Sequence, residues 1–168
     1  MSAVEVRDEV FAAVEAKFGF VPNVIREMGK SPAVARVYVE GQEAMAGASL
    51  TAREQQAVQL AVSVHNSCGY CQAAHRLGGR MAGIPDEDLE AIEKGMLPRD
   101  ARLKPLVHAT RLLLQRRGFL GKADIAMIEG AGVDRPQLYE IIALIGLKTI
   151  SNYVNHIAHT EIDKAFRR

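Results

Sequence analysis

Tryptophan is missing from this 168-residue chain, and its five Phe and four Tyr make up only 5% of it. So few flat side chains leave no stacking platform of the kind that binds single-stranded nucleic acid. Charge of one sign is missing too. The 21 Lys and Arg face 20 Asp and Glu, a formal charge of +1, so no electrostatic case exists for nucleic acid or an anionic membrane as partner. No long apolar run occurs. The most apolar stretch, "IIALIGL" at residues 141–147, is far short of the ~20 residues that span a bilayer. The opening "MSAVEVRDEVFAAVEAKFGF" carries acids throughout and lacks the apolar core of a secretory signal. Cysteine is scarce, with two in the whole chain. Without an export signal these two are expected in a reducing cytoplasm. There a structural disulfide is disfavoured, and a close pair serves catalysis or metal binding.

Strict apolar–polar alternation is also lacking, whereas apolar residues recur at three- and four-residue spacing almost everywhere. The expectation is an all-α fold, one domain over residues 1–168, large enough to bury a core without staples. In "TAREQQAVQLAVSVH", Ala57, Leu60, Ala61 and Val64 share a helical face, with Thr51 as N-cap and Glu54 closing a capping box. A second helix is expected to start after Ser67 as N-cap and to end at Gly83, before Pro85. Others are predicted over 3–17, 32–47, 86–94, 99–117, 122–130 and 135–166, the last broken near Ser151 and Asn152. Turn signals such as "GFVPN", "GKSP" and "AGIPDED" separate them.

Both cysteines lie in "NSCGYCQAAHRLGGR", residues 66–80, with a histidine four positions after the second. On a helix Cys68, Cys71 and His75 advance by three and then four residues and share one face. A helix start, or a neighbouring imidazolium, lowers a thiol below its usual ~8.5 and so favours the nucleophilic thiolate. His75 can take up or return a proton near neutral pH. A second thiol lets an oxidised first sulfur resolve into an intramolecular disulfide. A tetrahedral zinc site would need four ligands, and no second cysteine pair is present to supply them. Two inert core thiols beside an incidental histidine would not need this register. Redox chemistry is the expectation, without metal or cofactor, although spacing alone leaves the reaction open. Cys68 is nearer the helix start and Cys71 nearer His75; the expected assignment is Cys71 as attacker and Cys68 as resolver.

The run "LTAREQQAVQLAVSVHNSCGYCQAAH", residues 50–75, resembles the helix-then-CxxCxxxH signature of the AhpD-like, or carboxymuconolactone decarboxylase, superfamily. "GFVPNVIREMGKSPAVARVY" upstream, and "AGIPDEDLEAI", "ADIAMIEGAGVDRPQLYEIIALIGLKTISNYVNHIA" and "TEID" downstream, are similar to segments of its peroxidase-related members. The likeness covers about residues 19–163. It implies an all-helical homo-oligomer, a trimer or hexamer, with thiol-dependent hydroperoxidase activity. The cysteine pair would reduce a hydroperoxide, and an external dithiol, lipoylated or thioredoxin-like, would reduce the disulfide. Carried over by position, the redox pair falls on Cys68 and Cys71 and the relay histidine on His75. The relay glutamate, about twelve residues before the first cysteine, falls on Gln56, which cannot hold a proton as a carboxylate does. Glu54 is the candidate substitute, although residues two apart do not share a helix face. Two rivals stand beside the peroxidase: a redox-sensing oligomeric protein without turnover, and a lactone decarboxylase that would need His75 but not the sulfurs.

Other candidates carry less chemistry. His65 could flank the pair or end its helix. Tyr70 could offer a phenol to substrate or to a subunit contact. Arg76 and Arg80 fit a solvated face, and His108 the surface. His156 and His159 lack local acidic or thiol co-ligands and fit packing or an oligomer contact.

Overall fold

The computed structural model describes residues 2–167, and among them every regular element is helical. The nine α-helices are α1 (Ala3–Phe18), α2 (Asn23–Met28), α3 (Pro32–Ala44), α4 (Ala52–His65), α5 (Gly69–Met81), α6 (Asp86–Glu93), α7 (Leu103–Arg116), α8 (Lys122–Gly130) and α9 (Arg135–Ala158). Short 3-10 turns occupy Met45–Gly47 and Lys164–Phe166. No helix among the described residues is long and apolar enough to cross a membrane.

The helix α4 lies at the centre, with α5, α6, α7 and α9 packed on it. Ala57, Val58, Leu60, Ala61 and Val62 are at most 1% exposed, the signature of a helix enclosed on all sides rather than amphipathic. Its capping box is present as expected: the Glu54 backbone N–H donates to Thr51 Oγ1 at 3.3 Å, and Thr51 N–H donates to Glu54 Oε2 at 2.7 Å. A second point of close approach is Gly41 on α3. A Cβ there would stand 2.5 Å from Leu147 Cδ2 on α9, so the missing side chain lets α3 lie against α9 and brings Tyr38 beside Lys148.

Three elements differ from expectation. The helix α2 was not anticipated; six residues after Pro22 make under two turns, too few to show a 3.6-residue period. The last helix is unbroken at Ser151 and Asn152 and stops at Ala158 rather than 166, with His159 left-handed at φ 49°. Ser151 Oγ donates to Lys148 O at 3.1 Å and Asn152 Oδ1 accepts from Asn66 Nδ2 at 2.8 Å. Ser151 shares a carbonyl of its own helix without breaking it, and Asn152 Oδ1 is taken up by Asn66, outside the helix. Finally, α5 is capped by Cys68, not Ser67. Ser67 takes a left-handed φ of 56°, closing the turn in which Cys68 N–H donates to Ser63 O at 2.9 Å.

Candidate active site

The turn between α4 and α5 sets both sulfurs at one helix mouth. Cys68 is the N-cap residue and Cys71 lies in the first turn; both are free thiols, each 2% exposed. What faces them comes from α9. Lys148, Ser151, Asn152 and Asn155, at spacings i, i+3, i+4 and i+7, form one stripe of that helix, and all four are buried. Asn155 Nδ2 donates to Cys71 Sγ at 3.2 Å and reaches Cys68 Sγ at 3.7 Å. A single amide therefore ties the two sulfurs together. Cys71 Sγ also lies 3.9 Å from Ser151 Oγ.

The two thiols are electrostatically unequal. The hydrogen bond from Cys68 pulls Cys71 down, against burial, and Lys148, Asn152 and Asn155 add to the pull. Cys68 is pushed up by that same bond, by burial and by the charge of its neighbour. The two shifts run in opposite directions, so the pair favours a thiolate at Cys71 over one at Cys68. Asn152 Nδ2 is buried and makes no close hydrogen bond, and as an amide donor near Cys71 it favours negative sulfur. Burial works against a charge on Lys148, but Tyr38 and the two sulfurs outweigh it and hold the ammonium protonated.

His75 stands in register with the cysteines on α5, as the spacing predicts. Its Nδ1 is 2.9 Å from Gln56 Oε1, so the residue at the carried-over relay position is the one in contact. Gly78 makes that contact possible: a Cβ there would lie 2.5 Å from Gln56 Oε1. Burial first, and Lys148 second, push His75 well below the usual histidine range, so the imidazole is neutral. Gln56 Oε1 then accepts from Nδ1–H.

The structure does not bring Glu54 to His75. Its carboxylate is 6% exposed and is taken up by Thr51 and Arg102. Burial disfavours its charge, but those partners outweigh burial and hold it below the usual range. Glu54→Gln is therefore expected to cost about 1–3 kcal/mol in urea unfolding while leaving the reactivity of both thiols unchanged.

The remaining candidates fall outside the sulfur cluster. Tyr70 lines the cavity beside the sulfurs, but its hydroxyl donates to Asp163, and its ring stands edge-on to Phe166 at 5.7 Å. Burial and Asp163 raise its phenol, so it remains protonated. His65 is exposed at the end of α4. Arg76 pairs with Glu93, and Arg80 with Asp86 at 2.6 Å, tying α5 to α6. His156 stacks on Tyr153, and no cluster of potential metal ligands occurs among the described residues. Lys148, Asn152 and Asn155 were not among the sequence-predicted site residues. Their only sequence mark is the i, i+4, i+7 recurrence of polar residues within an otherwise apolar helix.

Beside the sulfurs lies a cavity of about 630 Å³. Val14, Val24, Val39, Leu50 and Phe166 form apolar walls, and Cys71, His75, Gln56 and Lys148 reach it; Cys68 does not line it. That volume is in the range of sites for small organic molecules. The arrangement presents one thiolate to an apolar chamber and keeps a protonated partner thiol behind it.

Known proteins resemble this chain in one segment of sequence and in fold. Residues 32–101 match the model of the carboxymuconolactone decarboxylase family, and the resemblance seen in residues 50–75 is thereby shown. No curated protein matches the chain. The fold is AhpD-like. An alkylhydroperoxidase AhpD core protein, peroxidase-related, from Ralstonia eutropha JMP134 superposes with a TM-score of 0.84 at 19% identity, over 99% of this chain and 91% of that one. A peroxidase-related protein from Silicibacter sp. TM1040 gives 0.82 at 20% identity, over 95% and 85%. The debrominase Bmp8 gives 0.77 at 18% identity, over 96% and 88%, and a cysteine-to-alanine Bmp8 variant is known in complex with 2,3,4-tribromopyrrole.

Proposed function

We propose that this chain, with its carboxymuconolactone decarboxylase-family segment and AhpD-like fold, is a dithiol oxidoreductase that reduces organic hydroperoxides through Cys71 and Cys68. The observation that carries the reading is that Cys71 lines the apolar cavity while Cys68, joined to it through Asn155, does not. The Cys71 thiolate attacks the terminal peroxide oxygen. The O–O bond breaks, the sulfur becomes a sulfenic acid, and the departing alkoxide takes a proton to leave as alcohol. Cys68 then attacks the sulfenic sulfur, forming the disulfide and releasing water. An external dithiol, carried on a lipoylated or thioredoxin-like protein of the cytoplasm, takes two electrons' worth of oxidation from that disulfide. His75, neutral and fixed by Gln56, orients the peroxide by hydrogen bonding at the cavity wall.

Tyr139, Ile142, Tyr153 and Ile157, exposed on one side of α9, support burial against another copy in a homo-oligomer.

A second substrate is favoured by one observation, the likeness to a debrominase. The same two thiols can deliver two electrons to a carbon–halogen bond: R–X and two thiols give R–H, the disulfide and HX. A thiol count discriminates among the readings. One equivalent of cumene hydroperoxide is expected to lower the free thiols, measured in denaturant, from two per chain to none, and dithiothreitol to restore both. Loss of thiols with a bromopyrrole but not with the peroxide would favour dehalogenation. Thiols untouched by either, with a muconolactone consumed instead, would place the chain with the decarboxylases.

A further inference from the structure

We infer that Lys148, and not His75, supplies the positive charge that makes Cys71 a thiolate; Lys148 is a positioning residue acting through that sulfur. The inference rests on the assignment of Cys71 as the attacking cysteine. The burial of Lys148, its place on the cavity wall and the make-up of its surroundings carry it. Lys148 is 2% exposed, on the wall of the same cavity as Cys71. An isolated ammonium at such a depth is costly unless an anion faces it. The titratable groups acting on it are Tyr38 from α3, Cys68 at the cap of α5, and Cys71 and His75 within α5, with no carboxylate among them. Of these four, only the Cys71 sulfur has hydrogen-bond donors placed to support an anion against burial, from Asn155 Nδ2 at 3.2 Å and from Cys68.

His75 cannot share the task. A carboxylate at position 56 would hold an imidazolium, but Gln56 offers only a neutral carbonyl oxygen at 2.9 Å. A second cation would also stand in the field of Lys148. One buried cation and one buried anion cancel, whereas two cations and one anion would not. The α9 stripe completes the cradle, with Ser151, Asn152 and Asn155 one and two turns beyond Lys148 on the same side. The expected arrangement is therefore an ammonium–thiolate pair in place of a histidine–carboxylate relay.

The experiment uses no peroxide, so it is independent of the substrate. Iodoacetamide alkylation of Cys71 is followed against pH by peptide mass spectrometry in wild type, Lys148→Met, Lys148→Arg and His75→Asn. Lys148→Met is expected to raise the midpoint by at least about one pH unit, a tenfold loss of thiolate at neutral pH. Lys148→Arg, keeping the charge, should hold it near wild type, and His75→Asn should leave it in place. A midpoint unmoved in Lys148→Met, or raised in His75→Asn, would overturn the inference. If Lys148→Met does not fold, the His75→Asn profile decides alone. Failure of peroxide reduction with a low Cys71 midpoint would remove the proposed function and leave this pairing standing.

Discussion

Cys71→Ser is expected to abolish hydroperoxide consumption, whereas Cys68→Ser should consume about one equivalent per chain and then stop. The asymmetry follows from where each sulfur sits. Cys71 opens onto the cavity and is held as thiolate, while Cys68 lies behind it with its proton retained. Without Cys71 the remaining thiol is protonated and has no access to the chamber; the rate should fall by about three orders of magnitude or more, as for loss of a nucleophile. Without Cys68 the first step survives, because attack needs only one sulfur. The sulfenic acid then lacks its resolving thiol and accumulates. Stopped-flow peroxide consumption gives the stoichiometry, and dimedone labelling read by mass spectrometry identifies the oxidised residue. A dimedone adduct on Cys68 in the Cys71→Ser protein would reverse the assignment.

The second large effect is expected at Gln56. In the wild type the folded-state pKa of His75 is below its unfolded value of about 6.5. As pH falls past about 6.5 the unfolded chain binds a proton that the folded one refuses, so stability is lost toward acid, by at most about 1.4 kcal/mol per pH unit for this one group. Gln56→Glu places a carboxylate at the 2.9 Å contact. Opposite charge at such range favours the imidazolium by about 1–3 pH units, so the folded protein should now take the proton as readily as the unfolded one. The loss of stability between pH 7 and 5 should shrink or reverse. Urea unfolding at both pH values measures the slope, and an NMR titration of the His75 Cε1–H measures the shift. An unchanged His75 titration would show that burial and Lys148 outweigh a carboxylate there. Gly78 is the control: with a Cβ only 2.5 Å from Gln56 Oε1, Gly78→Ala should move the residue 56 side chain off the imidazole.

Much of this site is local in the chain and was legible for that reason. The 3-then-4 spacing of Cys68, Cys71 and His75 is a property of one helix, and so is the capping box of Thr51 and Glu54. The choice between Glu54 and Gln56 was harder. It turns on which face of α4 meets α5, and that depends on Gly78, a residue whose only mark is its missing side chain. Lys148, Asn152 and Asn155 could not be read at all from spacing near the cysteines, because they arrive from a helix some eighty residues later. Polar residues in the middle of α9 pointed to a break. The bonds of Asn152 to Asn66 and of Asn155 to the sulfurs lead out of the helix, so these amides leave its backbone ladder alone and the helix continues. The cavity is likewise assembled from α1, α2, α3, α4, α5 and α9 and the Lys164–Phe166 turn, so no single stretch announces it.

The buried Lys148 has a consequence for energetics once the sulfurs join. A disulfide carries no charge, so its formation strips the ammonium of its counterion inside an apolar wall. Tyr38 is then its remaining partner, so the proton affinity of Lys148 falls on oxidation, and electron transfer at this couple becomes tied to the protonation of a residue that is never itself oxidised. When Lys148 gives up its proton, two protons leave with two electrons even though one thiol was ionised at the outset. The midpoint potential would track pH at about 59 mV per unit, rather than the roughly 30 mV of a lone thiol–thiolate pair.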